Sequence, residues 1–224
     1  MPYPWRPACK QSSKTTRGNS MPLPDLSIEA AFTGIVAGID EAGRGPWAGP
    51  VVAAAVILNK ERLPSGINDS KKLSAARRDV LFDAILMNAA TGVGIATVEE
   101  IDRLNILEAT KLAMQRAVAS LTVAPDMALV DGNRAPLVPC KVQTIVGGDA
   151  KSLSIAAASI VAKVTRDRIM QELAVQFPGY GWERNAGYGT ASHQQALATL
   201  GVTPHHRRSF APIRALLEEI ANVA

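Results

Sequence analysis

Residues 34–50 read Gly34-Ile35-Val36-Ala37-Gly38-Ile39-Asp40-Glu41-Ala42-Gly43-Arg44-Gly45-Pro46-Trp47-Ala48-Gly49-Pro50. Ile35, Val36 and Ile39 make a short apolar run of the kind that forms a buried strand, and it stops abruptly at two acids, Asp40 and Glu41. A glycine-flanked arginine follows, and Pro46 and Pro50 bracket a tight passage. Neighbouring side chains on a regular strand point to opposite faces, so the two acids share a site only if the backbone turns there, as the glycines permit. Adjacent carboxylates repel each other, and a hard divalent cation is the natural group to hold them. An isolated Asp-Glu pair is more often a solvated strand end. The rest of the chain decides against that reading.

Working outward, residues 51–58 (VVAAAVIL) read as a second buried strand. A polar loop over 59–74 contains Asn68-Asp69-Ser70-Lys71-Lys72, and Ser74 is placed to cap a helix marked by Val80, Leu81, Ala84 and Ile85. Residues 92–98 predict a strand, Thr97 with Glu100 has the form of a capping box, and 106–121 is an amphipathic helix. Residues 127–130 are apolar and end in Asp131, and residues 142–146 repeat the pattern, followed by Gly147-Gly148-Asp149. Three apolar strands thus each lead into an aspartate close to glycine. In open sheets covered by helices, such strand ends are where ligands gather. Carboxylates without Cys or His suit Mg2+ or Mn2+ rather than zinc.

Residues 152–176 predict a long helix, apolar nearly all round in its first half, with Lys163, Arg166, Asp167 and Arg168 in its second. Asp167 lies four residues after Lys163, a spacing that serves a surface ion pair as well as a supporting acid near the site. Pro178-Gly179 ends the helix, and the loop to residue 190 carries Tyr180, Trp182 and Tyr188, rings suited to stacking on sugars or bases. His193 and the run His205-His206-Arg207-Arg208 lack metal-ligand spacing and read as a solvated basic face.

At 224 residues, 47% hydrophobic and 20% charged, the chain predicts one soluble domain with a sizeable core. No apolar run approaches membrane-spanning length. Cys9 and Cys140 are too few for a disulfide framework, which fits a reducing cytoplasm. The sequence pI of about 9.2 suggests nucleic acid, but the charge is unevenly spread. Arg6, Lys10, Lys14 and Arg17 lie in the first 24 residues, which hold no acid. Setting those four aside leaves 20 Lys and Arg against 20 Asp and Glu. Affinity for phosphate must then come from local patches. Residues 1–33, with Pro2, Pro4, Pro7, Pro22 and Pro24, predict a disordered tail without a secretory signal, which leaves 34–224 as the domain.

The motifs together match a family. In order the chain carries Asp40-Glu41-Ala42-Gly43-Arg44-Gly45-Pro46, Asp69-Ser70-Lys71-Lys72-Leu73, Val130-Asp131-Gly132-Asn133 and Gly148-Asp149-Ala150-Lys151-Ser152. Then come Ala157-Ala158-Ser159-Ile160-Val161-Ala162-Lys163-Val164-Thr165-Arg166-Asp167, Gly187-Tyr188-Gly189-Thr190 and His206-Arg207-Arg208-Ser209-Phe210. Over roughly residues 34–214 the chain closely resembles bacterial ribonuclease HII, the type 2 ribonuclease H family, departing from it at Trp47, where a smaller apolar residue is more usual. The resemblance implies an α/β, ribonuclease H-like fold: a mixed five-stranded sheet flanked by helices, with a C-terminal helical part. It implies a monomeric endoribonuclease that cleaves RNA in RNA–DNA hybrids and incises 5′ of a ribonucleotide embedded in duplex DNA, using Mn2+ or Mg2+. By the same resemblance Asp40, Glu41, Asp131 and Asp149 are the metal ligands and Asp167 a supporting acid. Gly43-Arg44-Gly45 would test for the ribose 2′-hydroxyl, and Tyr188 would stack on the next sugar. Lys71, Lys72, Arg207 and Arg208 would then contact phosphates. The rivals are a DNA nuclease of the same fold such as a junction resolvase, a ribonuclease HIII with its extra N-terminal domain, and a non-catalytic binding module.

Overall fold

The computed structural model describes residues 23–223. Five strands, β1 (Val36–Ala42), β2 (Val51–Leu58), β3 (Ala89–Ala96), β4 (Met127–Asp131) and β5 (Lys141–Ile145), form one sheet in the order β3-β2-β1-β4-β5. The first three are antiparallel neighbours, whereas β1, β4 and β5 run parallel. This is the mixed five-stranded sheet expected from the resemblance.

One face is covered by α2 (Val98–Leu104) and α3 (Ile106–Ala119), the other by α1 (Ala75–Asn88) and the first half of α4 (Leu153–Gln176). Period-two alternation sorts the strand residues between these layers: Ile39, Val51, Ala53 and Val130 face α3, while Ala54 and Val56 face α4. Alanines at 156–158 and 162 let α4 approach closely, and a Cβ at Gly38 would lie 2.1 Å from the Ser154 backbone carbon. The central strand and the long helix therefore touch backbone to backbone. The caps are as predicted, with Ser74 accepting from the Arg77 amide and Thr97 with Glu100 closing a capping box.

Beyond Phe177 the chain forms α5 (Trp182–Asn185), α6 (Ala191–Leu200) and α7 (Ala211–Val223), packed on the second half of α4 around Trp182, Met170 and Ile213. Among the described residues no helix is long and apolar enough to cross a membrane.

Two expectations are corrected. The boundary at residue 33 is too late: Asp25 bridges Ser152, and Glu29 is buried beneath a short 3-10 turn, Glu29–Ala31. Its Oε1 accepts from Ser152 Oγ (2.6 Å), Ser154 Oγ (2.7 Å) and the Ser154 amide (2.9 Å), tying the segment to the start of α4. The earlier part of the expected tail, residues 1–22, lies outside the described residues.

The histidines are not a solvated face either. His193 and His206 are fully buried, their Nε2 atoms 3.0 Å apart, and Trp182 Nε1 donates to His193 Nε2 at 3.1 Å. His206 Nδ1 accepts from the Thr203 amide, and His193 Nδ1 lies 3.0 Å from the Tyr188 carbonyl. With both rings neutral, His193 donates through Nδ1 and His206 through Nε2, and the one lone pair of His193 Nε2 is shared between the Trp182 and His206 donors.

Candidate active site

Asp40 lies on β1 and Asp131 ends β4, adjacent parallel strands, so both carboxylates emerge at the same edge of the sheet. Asp149 is not at a strand end. It sits on a 3-10 turn, Gly148–Ala150, entered through Gly147 in the left-handed region (φ 64°). Asp131 Oδ1 accepts the Gly148 amide at 2.7 Å, which ties that turn to β4. One oxygen from each of Asp40, Asp131 and Asp149 lies within 4.8 Å of the others. Asp40 and Asp131 face a cleft of about 320 Å3 that is also lined by Glu41, Gly43, Arg44, Gly45, Lys71, Lys163 and Tyr188, and Asp149 is joined to it through Lys71.

The charges are crowded. Burial, then repulsion from Glu41 and Asp131, holds the Asp40 carboxyl well above its ordinary value. Burial also raises Glu41, against the pull of Arg44. Lys71 Nζ donates to Asp149 Oδ2 at 2.9 Å; burial works against its charge, but that hydrogen bond and the aspartate's charge leave it raised. Three hard oxygen donors held this close by separate elements, with no Cys or His among them, fit a divalent cation of the Mg2+ or Mn2+ kind.

Glu41 lies apart from the three aspartates. The backbone does not turn between the two acids: β1 continues to Ala42, with Asp40 opposite Ala54 and Glu41 opposite Ala53. Alternation therefore sends Asp40 toward α4 and Glu41 toward α3. Glu41 lines the same cleft and accepts from Arg44 Nη1 at 3.2 Å, outside the three-aspartate cluster.

Of the other predicted residues, Gly43, Arg44, Gly45, Lys71 and Tyr188 are gathered in the cleft, and Tyr188 is 49% exposed. Lys72 and Arg208 are exposed but do not line it. Asp167 also lies off the cleft wall. It accepts from Lys163 Nζ at 2.6 Å, and it is the lysine that lines the cleft.

Arg207 contradicts its expectation as a phosphate contact. It is fully buried, and all five of its N–H donors are taken by backbone carbonyls of residues 43–50. The reason is non-local: its partners are carbonyls about 160 positions earlier, and a run of two histidines and two arginines carries no sign of them. Two residues were read only as part of the long helix and its motif, and their roles were missed. Ser159 Oγ accepts the Ser70 amide at 3.2 Å and holds the Lys71 turn against α4. Arg166, nearly fully buried, donates to the carbonyls of Ala48, Pro50 and Ala186.

Against known proteins, the family model described as ribonuclease HII matches residues 37–213. The ribonuclease HII of Gluconobacter oxydans is 56% identical, covering 90% of this chain and 100% of its own length. That of Rhodospirillum rubrum is 60% identical, covering 89% of this chain and 94% of its own. Among solved structures, the ribonuclease H2 of Pyrococcus horikoshii superposes with a TM-score of 0.71 at 27% identity, covering 84% of this chain and 99% of that one.

Proposed function

The chain belongs to the ribonuclease HII family, and we propose that its three-aspartate cleft hydrolyses the RNA strand of RNA–DNA hybrids and incises 5′ of ribonucleotides embedded in duplex DNA. The products are 3′-hydroxyl and 5′-phosphate ends. The observation that carries this reading is the convergence of Asp40, Asp131 and Asp149 within 4.8 Å, beside a glycine-flanked arginine and an exposed tyrosine.

Asp40, Asp131 and Asp149 would hold the divalent cations, Mg2+ or Mn2+, with Glu41 as a fourth carboxylate in the same cleft. Bound there, such ions supply an activated water and stabilise the leaving alkoxide, so no side-chain base tuned near neutrality is needed. The protein's own residues do the rest. Crowding among the acids makes the cluster receptive to positive charge. Lys71 neutralises Asp149 and stands where a phosphate would pass. The Lys163–Asp167 pair fixes a second cation on the α4 wall. Gly43-Arg44-Gly45 brings backbone close enough to test for a 2′-hydroxyl, the atom that separates RNA from DNA, and the Tyr188 ring packs on the following sugar. Lys72 and Arg208, both exposed, would meet phosphates farther along the duplex and fix register rather than identity.

The test is a panel of three duplexes of one sequence: an RNA–DNA hybrid, a DNA duplex with one ribonucleotide, and all DNA. Each is incubated with Mg2+, with Mn2+ and with chelator. Cleavage of the first two only, abolished by chelator, is expected. Cleavage of all-DNA duplex would favour a resolvase-like enzyme, and cleavage surviving chelation would remove the aspartate cluster from the chemistry.

A further inference from the structure

Two arginines lie behind the 43–50 loop, and among the described residues no carboxylate is bonded to either. Arg166 on α4 donates to the carbonyls of Ala186 (2.9 Å), Pro50 (3.0 Å) and Ala48 (3.1 Å). Arg207 donates to Pro46 (2.8 Å), Gly49 (2.9 Å), Arg44 (3.0 Å), Pro50 (3.2 Å) and Gly43. A guanidinium has five N–H donors in one fixed plane, and Arg207 directs all five into a single loop. Burial lowers Arg166 to about 10 and Arg207 to about 9, which leaves both charged at neutral pH. Carbonyl dipoles take the place of a counter-ion.

The consequence is directional. In a trans peptide the C=O of one residue and the N–H of the next point opposite ways. Tying the Gly43 and Arg44 carbonyls to Arg207 therefore turns the amides of Arg44 and Gly45 away from it. Elsewhere in the loop the corresponding amides are used: Trp47 donates to the Gly187 carbonyl at 2.8 Å and Gly49 to that of His205 at 2.9 Å, while Pro50 has none. The amides of Arg44 and Gly45 have no acceptor among the described residues, and both residues line the acidic cleft.

We propose that Arg207 is the positioning residue for ribose selection: by holding two carbonyls inward it presents the Arg44 and Gly45 amides to the cleft as a paired donor for the 2′-hydroxyl oxygen. This rests on the reading of Gly43-Arg44-Gly45 as the ribose-testing loop. Successive backbone N–H groups directed to one side are a recurrent way to bind an electronegative atom. A lysine at 207 keeps the charge but has neither the reach nor the planar fork to hold Gly43 and Arg44 together.

The experiment compares wild type, Arg207→Lys and Arg207→Gln, each first shown to be folded by circular dichroism and thermal unfolding. KM and kcat are measured on a duplex with one ribonucleotide, and an all-DNA duplex of the same sequence is the competitive inhibitor. The wild type should prefer the ribonucleotide duplex. Losing two aligned donors should raise the variants' KM for it about ten- to a hundredfold while leaving the inhibition constant of the DNA duplex unchanged. The Mg2+ concentration giving half-maximal rate should not move.

If the wild type shows no preference, the ribose-testing role of residues 43–45 fails, and this inference with it. If the wild type discriminates and a folded Arg207 variant discriminates equally well, the inference alone is overturned. It is overturned too if KM and the inhibition constant rise together, or if neither variant folds, since Arg207 would then be a general structural prop.

Discussion

Gly43 and Gly45 stand two residues apart in the same loop, yet a methyl group on each would meet different things. A Cβ on Gly43 would sit 2.0 Å from Arg166 Nε, at a backbone φ of 97° that side chains rarely adopt. On Gly45 it would meet only the Tyr188 ring, at 3.3 Å. The sequence led to the expectation that Gly43-Arg44-Gly45 tests for the ribose 2′-hydroxyl, with nothing to tell its two glycines apart. In the structure the space at Gly43 is taken by Arg166, whereas that at Gly45 is open apart from the Tyr188 ring. Gly43→Ala should therefore lower stability by about 1–3 kcal/mol and impair cleavage of every substrate, since the loop itself shifts. Gly45→Ala should unfold at the wild-type temperature and raise KM for the single-ribonucleotide duplex. Thermal unfolding and steady-state kinetics on the two proteins decide this, and equal destabilisation would contradict it. At this scale Asp40, Asp131 and Asp149 were legible because an acid ending or following an apolar run is conspicuous. Arg166 and Arg207 were not, because a charge neutralised by backbone dipoles leaves no partner to find in the sequence.

At the scale of elements, the loop between α4 and α6 is held by one buried histidine, His193, and one buried arginine, Arg166. His193 reaches the Tyr188 carbonyl and Arg166 the Ala186 carbonyl, so the exposed tyrosine rides on a fixed backbone. The Tyr188 side chain is half exposed and its hydroxyl has no hydrogen bond among the described residues, so Tyr188→Phe breaks no contact within the protein. Tyr188→Ala should slow incision at a single ribonucleotide roughly ten- to a hundredfold, more than it slows cleavage within a continuous hybrid, whereas Tyr188→Phe should keep most activity. Equal losses on both substrates for Tyr188→Ala would show that the ring does not sense the junction.

The histidine pair also predicts a pH dependence of stability. Burial, then the neighbouring His193, holds His206 down to about 4 from an ordinary 6.5. The folded state thus binds the proton less readily than the unfolded chain. The stabilisation is complete above pH 6.5 and is lost as pH falls from there through about 4. The melting temperature of wild type should fall across that window more steeply than that of His206→Gln, which has no such proton to exclude. Parallel curves would contradict the neutral, buried assignment.

For the whole molecule, every strand of the sheet was predicted within a few residues, because apolar runs of four to eight between glycine, proline and polar loops mark strands directly. The N-terminal boundary was misplaced. Proline-rich composition was extended too far, and nothing around Glu29 reveals that its carboxylate meets serines more than 120 positions later. Deleting residues 1–22 should leave activity on a short duplex and thermal stability largely unchanged. Deleting residues 1–33 should cost about 1–3 kcal/mol, since the Ser152 and Ser154 donors lose their buried acceptor. Equal melting temperatures for the two truncations would return the boundary to residue 33.

If Asp40, Asp131 and Asp149 act together on RNA within a duplex, losing one of them should abolish incision. The direct measurement is single-turnover incision of a DNA duplex bearing one ribonucleotide, in Mg2+, by wild type and by Asp131→Asn. Asn keeps an oxygen for the Gly148 amide while removing one charge from the cluster. The expected result is a single cut 5′ of the ribonucleotide by wild type, leaving a 3′-hydroxyl, and near-complete loss in a variant at least as thermally stable without metal. Wild-type-like turnover by folded Asp131→Asn would contradict it.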